Sequence, residues 1–173
     1  HSDSSFKIHP AHASILNGRI TPKIGGSTQF ICMRNIYKNL DQSIQKQLDN
    51  LDAIHHFAHS RSKIDSSMVS QIELDKFPPV IHPMVKINPV NNKKAVYFGS
   101  HTKSIKNLDA DESSKLLKYL NDFINNEDYI YSHKWDDFDL IIWDNRSMLH
   151  RGQPYDITEP VSYTHLRAHE TSP

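Results

Sequence analysis

The chain is nearly free of cysteine. Cys32 is the single one among 173 residues, which excludes an internal disulfide framework and suits a reducing compartment, the cytoplasm. Cys32 itself reads as a small buried hydrophobe. Long apolar runs are missing too. No stretch of 18 apolar residues occurs, so no membrane-spanning helix is expected. Net charge is absent: 20 basic residues balance 20 acidic ones. No field is therefore implied for nucleic acid or an anionic membrane, and neither is expected as a partner. There is no internal repeat and no low-complexity tract. What remains is a chain of single-domain length, only 37% hydrophobic yet able to bury a core.

The periodicity reads as strand-rich with helical insertions. Residues 11–18, 28–33, 53–58, 129–133, 140–143 and 147–151 read as strands. Residues 79–87 and 94–98 read as a hairpin around Asn91 and Asn92, which tolerate left-handed turns. Ile36, Leu40, Ile44, Leu48 and Leu51 fall at helical spacing, and Asp41 divides that stretch by capping a second helix. Asp109 and Glu112 have the spacing of a capping box, ahead of the stripe Leu116, Leu117, Leu120, Phe123 and Ile124. Residues 60–78 are polar and without period, as in a mobile surface loop that serves as a lid.

Two fragments carry chemistry. His1-Ser2-Asp3 opens the chain, and His150 lies in Trp-Asp-Asn-Arg-Ser-Met-Leu-His-Arg-Gly near its close. In an extended segment, residues i and i+2 point to one face. His1 and Asp3 can thus grip one ion while a distant strand supplies His150. Two histidines and one carboxylate are the ligand set of non-haem Fe(II) oxygenases. With 12 histidines in the chain, the spacing equally suits a solvated His1 and a half-buried structural His150. His55, His56 and His59 form another local cluster. Adjacent strand residues face opposite ways, so this cluster reads as structural.

The context narrows these alternatives. HSDSSF (1–6), PKIGGSTQF (22–30), NIYKNL (35–40), IHPMV (81–85), KKAVYF (93–98) and YSHKWDDFDLIIWDNRSMLHRGQPYD (131–156) occur in order. Together they resemble the taurine dioxygenase / 2,4-dichlorophenoxyacetate dioxygenase family of Fe(II)/2-oxoglutarate enzymes. The HSDSSF opening and the LHRG segment look closer to the dichlorophenoxyacetate branch. The resemblance implies a double-stranded β-helix, or jelly roll, truncated at both ends, with residues 1–160 a partial dioxygenase domain. It implies Fe(II) held by His1, Asp3 and His150, with 2-oxoglutarate as cosubstrate bonded by Thr28. It implies hydroxylation of a small organic acid or sulfonate by dioxygen, with succinate and CO2 as coproducts. A homo-oligomer is compatible with it.

Within the signature, Trp143 reads as core and Arg146 as the partner of a nearby acid. His82 in His-Pro reads as structural or pocket-lining. Two departures stand out. Where the family often has a second His-Pro and a turn glycine, this chain has Asn88-Pro89 and Asn92. The family's 2-oxoglutarate arginine, about a dozen residues beyond the last iron ligand, has no match. Arg151 is too close to His150 and Arg167 too far. Residues 161–171 instead resemble a translated sequencing adaptor, so 161–173 is expected to be a non-native, poorly packed tail with no guanidinium facing the metal site. Two further readings differ in class. One is a copper oxygenase that chelates through an N-terminal histidine. The other is a cupin-like binding module without catalysis.

Overall fold

The computed structural model describes residues 1–62 and 70–168. Eleven strands and five helices are found there: β1 (Ala13–Ile20), β2 (Thr28–Cys32), α1 (Met33–Asn39), α2 (Gln42–Leu48), β3 (Asp52–His55), α3 (Phe57–Ser62), α4 (Gln71–Lys76), β4 (Val80–Pro83), β5 (Val85–Ile87), β6 (Lys94–Val96), β7 (Thr102–Ile105), α5 (Ala110–Ile124), β8 (Ile130–His133), β9 (Leu140–Asp144), β10 (Met148–Gly152) and β11 (Ser162–Ala168). The strands form sheets in the orders β11-β1-β9, β10-β2-β8, β4-β3-β7 and β5-β6. Every pairing is antiparallel.

Alternation along β2 and β10 decides the layers. Phe30 pairs with His150 and Ile31 with Leu149. Successive strand residues face opposite sides. Ile31 and Leu149 enter the apolar core with Met33 and Ile36 of α1 and Leu116 and Leu120 of α5. Phe30 and His150 face the first sheet, where the Trp143 ring of β9 lies 5.3 Å and 4.7 Å from theirs. Two antiparallel layers closing on such an interior make the expected jelly roll. The largest helix, α5, starts as its sequence dictates. Asp109 accepts from the Glu112 amide, Glu112 reaches back to the Asp109 amide, and Leu116 and Leu120 are buried below.

Several boundaries differ from expectation. Strand β3 ends at His55, because Phe57 turns inward against Phe6 and Phe77 and starts α3. Cys32 ends β2 and Met33 already belongs to α1. The helix break at Asp41 is present, but its side chain makes no capping bond. The hairpin is shorter than expected: β5 pairs with β6, while β4 pairs with β3. Asn92 takes a left-handed φ of 56° in the turn between β5 and β6. Strand β7 was not anticipated at all. Of the expected lid, 71–76 is helix α4, begun by a Ser70/Glu73 capping box; 63–69 lies outside the described residues.

The largest correction concerns the C-terminal segment. Residues 162–168 do not hang free. They pair with β1 in register from Ala13↔Ala168 to Gly18↔Tyr163, and His12 donates to the Ala168 carbonyl. The edge of β1 opposite β9 offers unsatisfied amides and carbonyls, which this segment completes.

Candidate metal centre

The chain reaches one point from its two ends. The His1 ammonium donates to the His150 carbonyl at 3.0 Å, and the His150 amide donates back to the His1 carbonyl at 3.0 Å. This reciprocal pair fixes the two residues side by side as in an antiparallel ladder. After Ser2 the chain leaves the extended form expected for it. It turns at Asp3, and Ser4 adopts a left-handed φ of 58°. The turn still leaves His1 and Asp3 together: His1 Nε2 lies 3.6 Å from Asp3 Oδ1, and His150 Nε2 lies 3.9 Å from Asp3 Oδ2. One nitrogen or oxygen from each of the three residues falls within 4.8 Å of the others, the one such cluster of three among the described residues.

The cluster is sheltered unequally. Asp3 is 1% exposed and His150 9%, while the His1 side chain is 39% exposed. Burial is the largest influence on Asp3 and pushes its carboxyl up. Bonds to His1 and Ser14 and the charges of His150 and Arg167 outweigh it and hold the carboxyl well below the usual range. His150 moves the other way. Burial first, then nearby His1, lower it to about 3, so its imidazole is neutral at pH 7. A neutral imidazole beside an ionised carboxylate is the protonation state that metal ligation requires. His150 Nδ1 is buried and finds no partner among the described residues.

A relay holds the carboxylate in place. Ser14 Oγ donates to Asp3 Oδ2 at 2.6 Å and accepts from Asn145 Nδ2 at 2.8 Å. Asn145 Oδ1 in turn accepts from Trp143 Nε1, and its backbone carbonyl accepts from Ser2 Oγ. Trp143 is thus core, as expected, and also a wall of the site. Arg146 pairs with Asp144 through two bonds of 2.9 and 3.0 Å. Sequence reading missed Ser14 and Asn145. The available signal was a serine and an asparagine at inward strand and turn positions, too common to single out.

Thr28 lies on the strand next to His150, two residues from Phe30 on the same face. It is buried, and its hydroxyl accepts from Trp135 Nε1 at 2.9 Å, which leaves its proton to donate. Gly25 and Gly26, at φ 77° and 64°, make the turn before it; a Cβ at Gly25 would meet the Pro154 carbonyl at 2.5 Å.

Strand β11 supplies what was not expected. His165 Nε2 lies 3.0 Å and Arg167 Nη2 3.2 Å from the two oxygens of Asp3. A guanidinium therefore does face the site, contrary to expectation, because β11 continues the sheet of β1 and places alternate residues over Ser14 and Leu16. His101 sets its ring edge-on to that of His1 at 6.2 Å, while His55 and His82 lie elsewhere. His55 stacks on Tyr97 beside His82, and His82 Nε2 bonds to the Lys7 carbonyl. The His1 amino group donates to the His150 carbonyl.

Comparison with known proteins gives the family. Residues 1–169 match the family described as "Taurine catabolism dioxygenase TauD, TfdA family". The chain belongs to that family. It is 35% identical over 158 residues to the alpha-ketoglutarate-dependent 2,4-dichlorophenoxyacetate dioxygenase of Cupriavidus pinatubonensis, a match covering 91% of this chain and 55% of that protein. It is 32% identical over 173 residues to the (S)-phenoxypropionate/alpha-ketoglutarate-dioxygenase of Sphingobium herbicidovorans, covering 96% of this chain and 60% of that protein. The crystal structure of AAD-2 in complex with Mn(II) and N-oxalylglycine superposes with a TM-score of 0.93 at 34% identity, over 100% of this chain and 69% of the other. The chain spans a little over half the length of the two named relatives. No helix among the described residues is long and apolar enough to cross a membrane.

Proposed function

We propose that this TauD, TfdA family chain carries the metal centre of an Fe(II)- and 2-oxoglutarate-dependent dioxygenase that hydroxylates a small organic acid or sulfonate. The observation that carries the reading is the meeting of His1, Asp3 and His150 within 4.8 Å. Two Nε2 atoms and one anionic oxygen suit Fe(II), and three ligands leave other positions open. When bound, the iron and 2-oxoglutarate supply oxidation by dioxygen, with succinate and CO2 as coproducts.

The protein's own part is positional. Ser14 and Asn145 fix the carboxylate. Trp143 and Phe30 wall off water from His150. The Thr28 hydroxyl has a proton to offer a cosubstrate oxygen. A cavity of about 280 Å³ borders His1 and His150, between Ile31, Leu149 and Ile124, and has room for a small molecule.

We also read 161–173 as adaptor-like by its residues, although the family match runs to residue 169 and 162–168 pair with β1. Strand β11 buries no alternating apolar face; only Tyr163 within it is half-buried. The reading also places the protein in the cytoplasm, acting on a small molecule rather than on nucleic acid or membrane.

The test is a titration with Mn(II), then 2-oxoglutarate, followed by Fe(II)-dependent succinate release. One equivalent of metal is expected in the parent chain and none in Asp3→Ala, which lacks the anionic oxygen. Equal metal binding in the two would overturn the assignment.

A further inference from the structure

A second cleft lies on the opposite side of the turn that carries Asn145. It encloses about 240 Å³, and Arg34, Lys86, Lys93 and Arg146 line it together with Ser147. Four cationic side chains thus border one concavity. One carboxylate is bonded there, Asp144, and it is held by Arg146. The charge balance of the cleft is strongly positive, although the whole chain is neutral.

Three details show donors left over. Arg34 Nη1 donates to Ser147 Oγ at 3.0 Å and enters no ion pair among the described residues, though its charge is felt at Asp144. Ser147 is buried, and once its oxygen accepts from Arg34 its own proton is still available. The Lys86 ammonium lies 3.6 Å over the Tyr97 ring and has no carboxylate partner among the described residues. Burial, and then repulsion from Arg146, lower Lys86 to about 8. Lys86 and Arg146 thus repel one another across the cleft. An anion entering the cleft would remove that repulsion and fill guanidinium, ammonium and hydroxyl donors at once.

We propose that this cleft is a binding site for a small oxyanion with two negative charges, of the phosphate or dicarboxylate kind. Guanidinium forks match the paired oxygens of such groups, and lysine adds a point charge. The site is separate from the metal cluster, and it stands whether or not the chain is an oxygenase. Its position has a consequence for that cluster. The turn places Arg146 and Ser147 in the cleft, while Asn145 between Asp144 and Arg146 reaches back to Ser14 and so to Asp3. Occupancy would be felt at the metal carboxylate through one hydrogen-bonded turn.

The test uses the 173-residue chain without metal, so that ligands of the metal do not contribute. Inorganic phosphate, sulfate and succinate are titrated calorimetrically at constant ionic strength, with chloride as the monovalent control. Saturable binding of at least one dianion is expected, and which of the three binds most tightly names the ligand chemistry. Arg34→Gln, Lys86→Met and Lys93→Ala should each weaken it, the pair Arg34→Gln/Lys93→Ala by at least about tenfold, since charge-assisted bonds are lost. Arg146 is left intact because it fixes the turn. If Lys86→Met does not fold, Arg34→Gln and Lys93→Ala carry the test. Absence of saturable binding, an equal response to chloride, or parent-like affinity in the variants would overturn the proposal.

Discussion

Ser14 Oγ donates to Asp3 Oδ2 over 2.6 Å, and both side chains are buried. Their bond joins the first sheet to the loop that presents the carboxylate. Partners of this kind fix the ligand's orientation, and their loss commonly weakens metal affinity about 10- to 100-fold. Ser14→Ala should therefore weaken Mn(II) binding by at least about tenfold while leaving the circular dichroism spectrum unchanged. Parent-like affinity measured by electron paramagnetic resonance would show that Asp3 is held by other means.

Arg167 is expected to act against a metal bound at Asp3. Its guanidinium lies 3.2 Å from Asp3 Oδ1 and is 48% exposed. It competes with a cation for the same oxygen. Arg167→Met should tighten Mn(II) binding by up to about fivefold, the scale of a solvent-screened ion pair. Weaker metal binding in this variant would mean that the guanidinium supports the site.

Thr28 is expected to act on the cosubstrate alone. Thr28→Val removes one hydroxyl but keeps the strand shape, and also leaves Trp135 Nε1 without its acceptor. The 2-oxoglutarate affinity of the metal-loaded chain should fall about fivefold, from one hydrogen bond of about 1 kcal/mol. The Mn(II) affinity should not change. An unaltered 2-oxoglutarate affinity would remove Thr28 from the site.

How much of this was legible beforehand follows from how local each signal is. The α5 capping box could be read because Asp109 and Glu112 meet within one turn. The meeting of His1, Asp3 and His150 was legible through their ordered setting, although the turn that begins at Asp3 and the left-handed Ser4 were not. Ser14 and Asn145 were not legible. A hydroxyl and an amide at inward positions gain their role from a register 131 residues apart. Arg167 was set aside on sequence distance, yet pairing with β1 rather than distance decides what it touches. Strand β7 was missed because Thr-Lys-Ser-Ile is too short and mixed to show a period.

His55 sets an acid limit to stability. It is 1% exposed, and neither ring nitrogen has a partner among the described residues. Burial, then His82, His101 and Lys86, lower it from 6.5 to about 3. The folded state therefore binds its proton less readily than the unfolded chain. Stability from this group is complete above pH 6.5 and is lost as pH falls from 6.5 toward 3. Between pH 6.5 and 5 the loss from this side chain should be about 2 kcal/mol. Urea midpoints across that range should fall less steeply in His55→Phe than in the parent. Identical slopes would show that His55 is already charged or solvated.

The reciprocal bonds between His1 and His150 span 149 positions of sequence. Bringing such distant residues together costs loop-closure entropy that a local contact does not. No local segment can assemble the three residues ahead of the rest, so they meet only when the strands that carry them have paired. An ion that binds there acts as a clasp on the finished molecule, since it binds the folded chain and not the open one. Loss of the His1–His150 pairing would release it, and the off-rate of the ion would then serve as a clock for the opening of that pairing.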